Sequence, residues 1–320
     1  MNEQDESGET TPYDDEIDLR ELFRVLWAGK WLIGGITFAA TVMAVIVAFM
    51  LPNIYRAEAL LAPNQDGSAG GLSALAAQYG GLASLAGINL GSGSSDNTAV
   101  GLEILESRKF ISEFIERHDI LVPLMAAKGW NAETGGLKID SDIYDVGAQK
   151  WVREVRPPRK TIPSLQEAYE EFSEEVFSVS QDKKTGFVTL AVEHYSPTSA
   201  QQWVNWLVDD INSTIMKQDV EEAEQAIAYL NKQIEATSLA ELRVVFFRLI
   251  EEQMKTVMLA NVSDEYLLKT LDPAIAPEEK EAPNRALIVL LSAFFSGILA
   301  MFLVVVMGSS RLASNNRSTI

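Results

Sequence analysis

The chain contains no cysteine and only two histidines, His118 and His194, in 320 residues. The lack of cysteine fits an oxidising compartment without requiring one. The histidines lie far apart with no HxxxH or HExxH companion, so a metal site or a Ser-His-Asp arrangement would have to arise from tertiary placement alone. Core or surface histidines are the expectation. No GxxxxGK[ST] sequence occurs, which removes a P-loop, and the glycines of 67–93 have neither the lysine nor the strand-to-helix context that phosphate binding needs. Basic residues are also scarce, 26 against 45 acidic, for a formal charge of −19. Nucleic acid and polyphosphate are held by Lys and Arg against their phosphates, so neither is expected as the principal partner. A simple electrostatic grip on an acidic polysaccharide is disfavoured for the same reason. The adjacent acidic pairs Asp209-Asp210, Glu221-Glu222 and Glu251-Glu252 fall on predicted helices. Residues one apart do not share a helix face, so these read as solvated surface rather than as general acid and base. The expectation is no catalytic, cofactor-binding or metal-ligating residue and no cofactor.

Charge is missing altogether from two long stretches, Trp31–Leu51 with 21 residues and Ala286–Met307 with 22. At about 1.5 Å per residue each spans roughly 30 Å, the thickness of a bilayer core. A buried helix of a soluble protein rarely exceeds about 14 uncharged apolar residues. A cleaved signal peptide fits poorly, because nine of the first thirty residues are acidic and Pro52-Asn53 follows the run. Each run carries small residues at fourfold spacing, Ala40, Ala44 and Ala48 in the first, Ser292, Ser296 and Ala300 in the second, a pattern that permits close helix approach. Neither run holds an ionisable residue, so both read as anchors rather than as a transport path. Arg20, Arg24 and Lys30 precede the first run, and Arg311 and Arg317 follow the second. By the positive-inside rule both termini are expected in the cytoplasm, with Pro52–Arg285 outside, in the periplasm of a cell with an outer membrane. Arg56 and Arg285 run against that rule. The acidic segment Met1–Asp18 reads as a disordered arm.

Between the runs, Ile54–Ala62 predicts a strand stopped by Pro63. Residues 64–97 are rich in Gly, Ala, Ser and Leu, with a ten-residue repeat, Gly70-Gly-Leu-Ser-Ala-Leu-Ala76 and Gly80-Gly-Leu-Ala-Ser-Leu-Ala86. A flexible linker is one reading. Leu72, Leu75, Leu82 and Leu85 favour instead a loosely ordered segment packed against something, such as a neighbouring protomer. Thr98–His118 predicts a helix with Leu102, Leu105, Phe110 and Phe114 near one face, and Trp130–Gly147 is irregular. Gln149–Val155 is a short strand or helix ended by Arg156-Pro-Pro-Arg159. A helix starts at Ser164, with Glu167 completing a capping box. Val176–Ser180 and Phe187–His194 form a hairpin. Ser196-Pro197 then opens a long helix, Pro197–Ala236. Trp203, Leu207, Ile211 and Ile215 recur every four residues, and Val220, Ala223, Ile227, Leu230 and Ile234 alternate steps of three and four as a coiled-coil seam does. A second helix from a Ser238/Glu241 capping box to about Leu259 makes this a hairpin or a kinked rod. Glu265–Leu271 reads as a returning strand, and Asp272–Pro283 as an extended, proline-spaced connector.

Four stretches resemble the Wzz family of polysaccharide co-polymerases, the chain-length determinants of O-antigen and related surface polysaccharides. They are Asp15-Glu-Ile-Asp-Leu-Arg-Glu-Leu22, Pro52-Asn-Ile-Tyr-Arg-Ala-Glu-Ala59, the Gly-Gly-Leu repeats leading to Leu102-Glu-Ile-Leu-Glu-Ser-Arg-Lys-Phe110, and Leu271-Asp-Pro-Ala-Ile-Ala-Pro277. The resemblance implies an α+β fold with a membrane-proximal base, a long helix rising from it, and ring-like homo-oligomers. It also implies a non-enzymatic role in setting how many repeat units a Wzy-type polymerase adds to a lipid-linked glycan.

The expected organisation is a cytoplasmic arm 1–30, a transmembrane helix 31–51, a periplasmic domain 52–285, a transmembrane helix 286–307 and a cytoplasmic tail 308–320. Within the domain, 52–196 and 261–285 form the base and 197–260 the protruding helices. Expected partners are copies of the chain, the polymerase, the glycan and membrane lipid. The alternative is a membrane adaptor for a cytoplasmic tyrosine kinase in capsule or exopolysaccharide export. Because the sequence ends 13 residues after Met307, such a kinase is expected to be a separate protein.

Overall fold

The computed structural model describes residues 19–64 and 93–315. The acidic arm Met1–Asp18, the Gly-Gly-Leu repeats with Leu72, Leu75, Leu82 and Leu85, and Arg317 lie outside the described residues. In chain order the elements are α1 Leu19–Ala28, α2 Lys30–Met50, β1 Tyr55–Pro63, α3 Gly93–Glu106, α4 Arg108–Arg117, α5 Leu121–Met125, β2 Ala127–Trp130, β3 Leu137–Ile139, β4 Tyr144–Asp145 and β5 Lys150–Trp151. There follow α6 Leu165–Glu171, a π-helical turn Phe172–Val176, β6 Phe177–Gln181, β7 Val188–His194, α7 Pro197–Ala236, α8 Ala240–Ala260, β8 Leu268–Asp272 and α9 Arg285–Asn315. They divide into two compact units, one holding α1, α2 and α9, the other Pro52–Ala282.

In the first unit, α2 and the Arg285–Met307 part of α9 are long and apolar enough to cross a membrane by length and composition. They fall within a residue of the uncharged runs and pack on each other along the small-residue stripes, where Ala48 and Ala300 are buried. Large side chains would hold the two backbones apart. Small ones let them approach and gain dispersion contacts that lipid cannot supply. At one end, Arg285 Nε donates to the Ala48 carbonyl at 3.0 Å. Towards the other, Gly29 abuts Val304 so closely that a Cβ there would overlap the valine side chain. Helix α1 is an addition to the sequence reading, which places residues 19–28 in the cytoplasmic arm and assigns them no element.

The second unit is α+β. Its antiparallel sheet has the order β6-β7-β1-β8, with β1 in the interior paired to β7 from Tyr55↔His194 through Leu61↔Val188. Strand alternation sends Ala57, Ala59 and Leu61 into the core and leaves Arg56 and Glu58 on the other face. There Arg56 meets its cross-strand partner Glu193 at 3.1 Å. The first half of α7 lies on the inner face. Its repeat Trp203, Leu207, Ile211 and Ile215 is buried, with Phe114, Phe172 and Leu190 in the same core. Ile54 and Ala282 form a bridge that brings the two ends of this unit side by side.

Ser196 caps α7 by accepting from the Ser199 amide at 3.2 Å, and Pro197 stands at its first position, as the sequence requires. The question of hairpin or kinked rod is decided by the return path. After α8, the Tyr266 hydroxyl donates to Asp219 at 2.8 Å and Asn212 takes the Leu267 amide at 2.7 Å, so α8 runs back along α7 as an antiparallel hairpin. Ala223 and Ile234 are buried and Val220, Ile227 and Leu230 half-buried, because α8 covers that seam within one chain.

Three expectations are corrected. The helix expected over Thr98–His118 is two helices, α3 and α4, broken at Ser107, whose Oγ accepts from the Phe110 amide at 3.2 Å. The five-residue step from Leu105 to Phe110 is out of helical phase, and a capped break resets it. The Trp130–Gly147 stretch is not irregular throughout: β2 with β3 and β4 with β5 form two small antiparallel ladders. Finally, α8 begins at Ala240 with no side-chain cap, because Thr237 and Leu239 take extended dihedrals and Ser238 is used in the reversal. At Ser164 the cap forms, but the Glu167 carboxylate does not return to it. It pairs with Arg153 at 2.7 Å and pins the preceding loop onto α6.

Candidate interaction surfaces

Both histidines and one acidic pair join elements of the fold to one another. His118, at the end of α4, stacks on Trp206 of α7 with ring centroids 4.2 Å apart and places Nε2 3.0 Å from Asp210. Arg117 reaches the same carboxylate oxygen at 2.6 Å. Asp210, only 13% exposed in its side chain, therefore corrects the reading of that pair as solvated surface. It is a buried-edge acceptor that ties α4 to α7 through two cations or donors. Its neighbour Asp209 stays exposed, as adjacent helix positions must diverge. Glu221 and Glu251 are likewise exposed.

His194 is buried beneath Trp203. Its Nε2 lies 3.2 Å from the Pro123 carbonyl, while Nδ1 accepts from the Ser196 amide at 3.2 Å. This pattern assigns the neutral tautomer with its proton on Nε2. Burial pushes the imidazole below its ordinary value, opposed by these two bonds. A ring with both nitrogens committed to backbone has no free atom for catalysis.

Where β8 meets α7, Asn212 does what a strand neighbour would do. Its side chain is buried, donates to the Leu268 carbonyl at 3.0 Å, and accepts from the Leu267 and Leu268 amides at 2.7 and 2.9 Å. Beside it opens a cavity of about 220 Å³ walled by Ile104, Ile215, Asp219, Glu222, Tyr266 and Leu267 among others. Desolvation raises both Asp219 and Tyr266 above their usual ranges. Among the described residues the lining holds carboxylates and no Lys, Arg or His, so it suits a neutral or cationic group and repels an anion. Among the described residues no set of three His, Asp or Glu is placed to hold a metal ion.

The hairpin presents a different surface. Helix α8 packs on α7 and half-buries Phe246, Ile250 and Val257, yet a second flank remains apolar in solvent. Phe247 is 56% exposed and Met254 59%, with Met258 on the same side and Leu242, Val244 and Val245 near the tip. Apolar area of this extent on a helix usually marks a protein contact. Sequence reasoning placed the seam on α7 and missed this flank, because a periodic pattern cannot say which of two apolar stripes the chain itself will cover.

Fold and surfaces together define an α+β domain carried between two helices of membrane-crossing length. Residues 15–118 match the Wzz family, described as chain length determinant protein, and the resemblance read from the sequence stands over that stretch. Two solved structures are similar in part. A full-length bacterial polysaccharide co-polymerase is 15% identical, with 92% of this chain and 98% of that one covered and a TM-score of 0.38. A fragment of WzzB, the polysaccharide co-polymerase from Salmonella Typhimurium, is 14% identical over 72% of this chain and 100% of that one, with a TM-score of 0.28. Among curated proteins nothing matches the chain.

Proposed function

We propose that the protein regulates the chain length of a surface polysaccharide of the O-antigen kind, without catalysing a reaction itself. It acts in the inner membrane as a homo-oligomeric scaffold beside a Wzy-type polymerase and its lipid-linked glycan. Both termini are cytoplasmic in this reading and the Pro52–Ala282 unit is periplasmic. The match of residues 15–118 to the chain length determinant family is the observation that carries it. The uncovered flank of α8 supports it, since a scaffold made of copies needs an apolar face that one chain leaves open. So does the Ile54–Ala282 bridge, which closes the unit where two anchors require it.

Deleting the gene tests this directly. Polymer continues to be made but its preferred length disappears on a gel; an unchanged modal length overturns the proposal. A kinase adaptor would instead lower kinase phosphorylation or export in the deletion strain while leaving the length distribution of exported polymer intact.

A further inference from the structure

Helix α1 has no part in the proposed function. On a helical wheel Leu19, Leu22, Phe23, Val25, Leu26 and Trp27 share one arc, and Arg20, Glu21 and Arg24 share the other. Such a helix is too polar on one side for hydrocarbon, and at ten residues, or about 15 Å, it is too short to cross a bilayer. Part of the apolar arc packs inside the protein, where Leu26 is half-buried and α1 meets α9, but its aromatic edge is open. Phe23 is 66% exposed and Trp27 63%, their rings stacked 6.0 Å apart, and Lys30 holds its ammonium 4.7 Å over the Trp27 ring.

What lies against this face follows from where α1 stands. A single residue, Gly29, separates it from α2, and Gly29 touches Val304, close to the end of the apolar span of α9 at Met307. The open aromatic face is thus continuous with the apolar surfaces of both spans at the level where they end. Aromatic rings beside Arg and Lys belong at that depth, because rings favour the headgroup boundary and cations meet lipid phosphates.

We infer that α1 is an interfacial anchor that lies along the bilayer surface, with Phe23 and Trp27 inserted among the lipid headgroups and Arg24 turned to water and phosphate. The inference rests on α2 and α9 spanning the membrane. It assigns residues 19–28 a lipid surface as partner, and it predicts that the spans are held in rotation and depth by a helix outside them.

The absence of native cysteine makes the test clean. Single substitutions Phe23→Cys, Arg24→Cys, Trp27→Cys and Ala28→Cys, with Val42→Cys in α2 as a depth reference, are made in the full chain. Each is labelled with a nitroxide and reconstituted in phosphatidylethanolamine/phosphatidylglycerol vesicles. Collision with oxygen and with a water-soluble nickel chelate then reports depth. The expected ratio of oxygen to nickel accessibility is several-fold higher at 23 and 27 than at 24 and 28, and highest at 42. Equal, water-like ratios at all four α1 sites with a deep label at 42 overturn the inference alone. A water-like label at 42 overturns the spanning reading, and the inference with it.

Discussion

Asn212 shows how much a single side chain contributes to this fold. Three backbone groups of the returning chain bond to its amide. Removing one side of a buried hydrogen bond leaves the other desolvated, which costs more than the bond itself is worth. Asn212→Ala should therefore destabilise the protein by about 3 kcal/mol, summing two to three orphaned groups at roughly 1–3 kcal/mol each with partial relaxation. The loss is read from the urea midpoint of the full chain in detergent. His194 gives a pH signature. Its native value is depressed below the ordinary 6.5 by burial, so the unfolded chain binds the proton more readily. Its contribution is complete above pH 6.5 and is lost as pH falls through the window down to the depressed native value. Glu171, raised by burial and by the charges of Glu175 and Glu174, acts with the opposite sign, since the folded form holds its proton longer. The His194 part is accordingly read as the difference between wild type and His194→Gln: the midpoint falls from pH 7.5 to 5.5 in the former and changes less in the latter.

At the scale of elements, the hairpin divides its apolar residues between two tasks. The inner face of α8 and the seam of α7 hold the hairpin together, so Asp at Ile227 or Leu230 would unfold it and say nothing about assembly. The outer flank carries no such duty. Phe247→Asp combined with Met254→Asp should leave the far-UV circular dichroism and the melting of the chain close to wild type, because both side chains are already more than half exposed. On the proposed homo-oligomeric scaffold it should nevertheless shift the detergent-solubilised particle to a smaller mass by light scattering. An unchanged mass would place the contact between copies elsewhere. Other elements show local chemistry yielding to packing. Ser107 breaks one predicted helix into two so that Leu105, Phe110 and Phe114 all reach one core. Glu167 leaves its capping box because Arg153, little exposed, needs a carboxylate more than the Ser164 amide does.

For the whole molecule, the sequence by itself determined the anchors and the class of fold. A run of 21 or 22 residues without charge has few physical outcomes other than a membrane helix, and an apolar repeat from Trp203 to Ile234 behind a serine-proline cap has few other than a long helix. The positions of β1, β6 and β7 were legible to within a residue because alternation and prolines act locally, whereas the short ladders β2–β3 and β4–β5 carry too few residues to show a period. What only the tertiary structure decided depends on which surfaces meet. That α8 folds back on α7 follows from Asn212 and Asp219 catching the returning chain, and no spacing in the sequence announces a hydrogen bond across fifty residues. Asp210 looked like any exposed acid until α4 brought Arg117 and His118 to it. The open flank of α8 and the aromatic face of α1 belong to the same kind of fact. Periodicity shows that a helix has an apolar side, but only the assembled fold shows whether the chain covers that side or leaves it for a partner or a lipid surface.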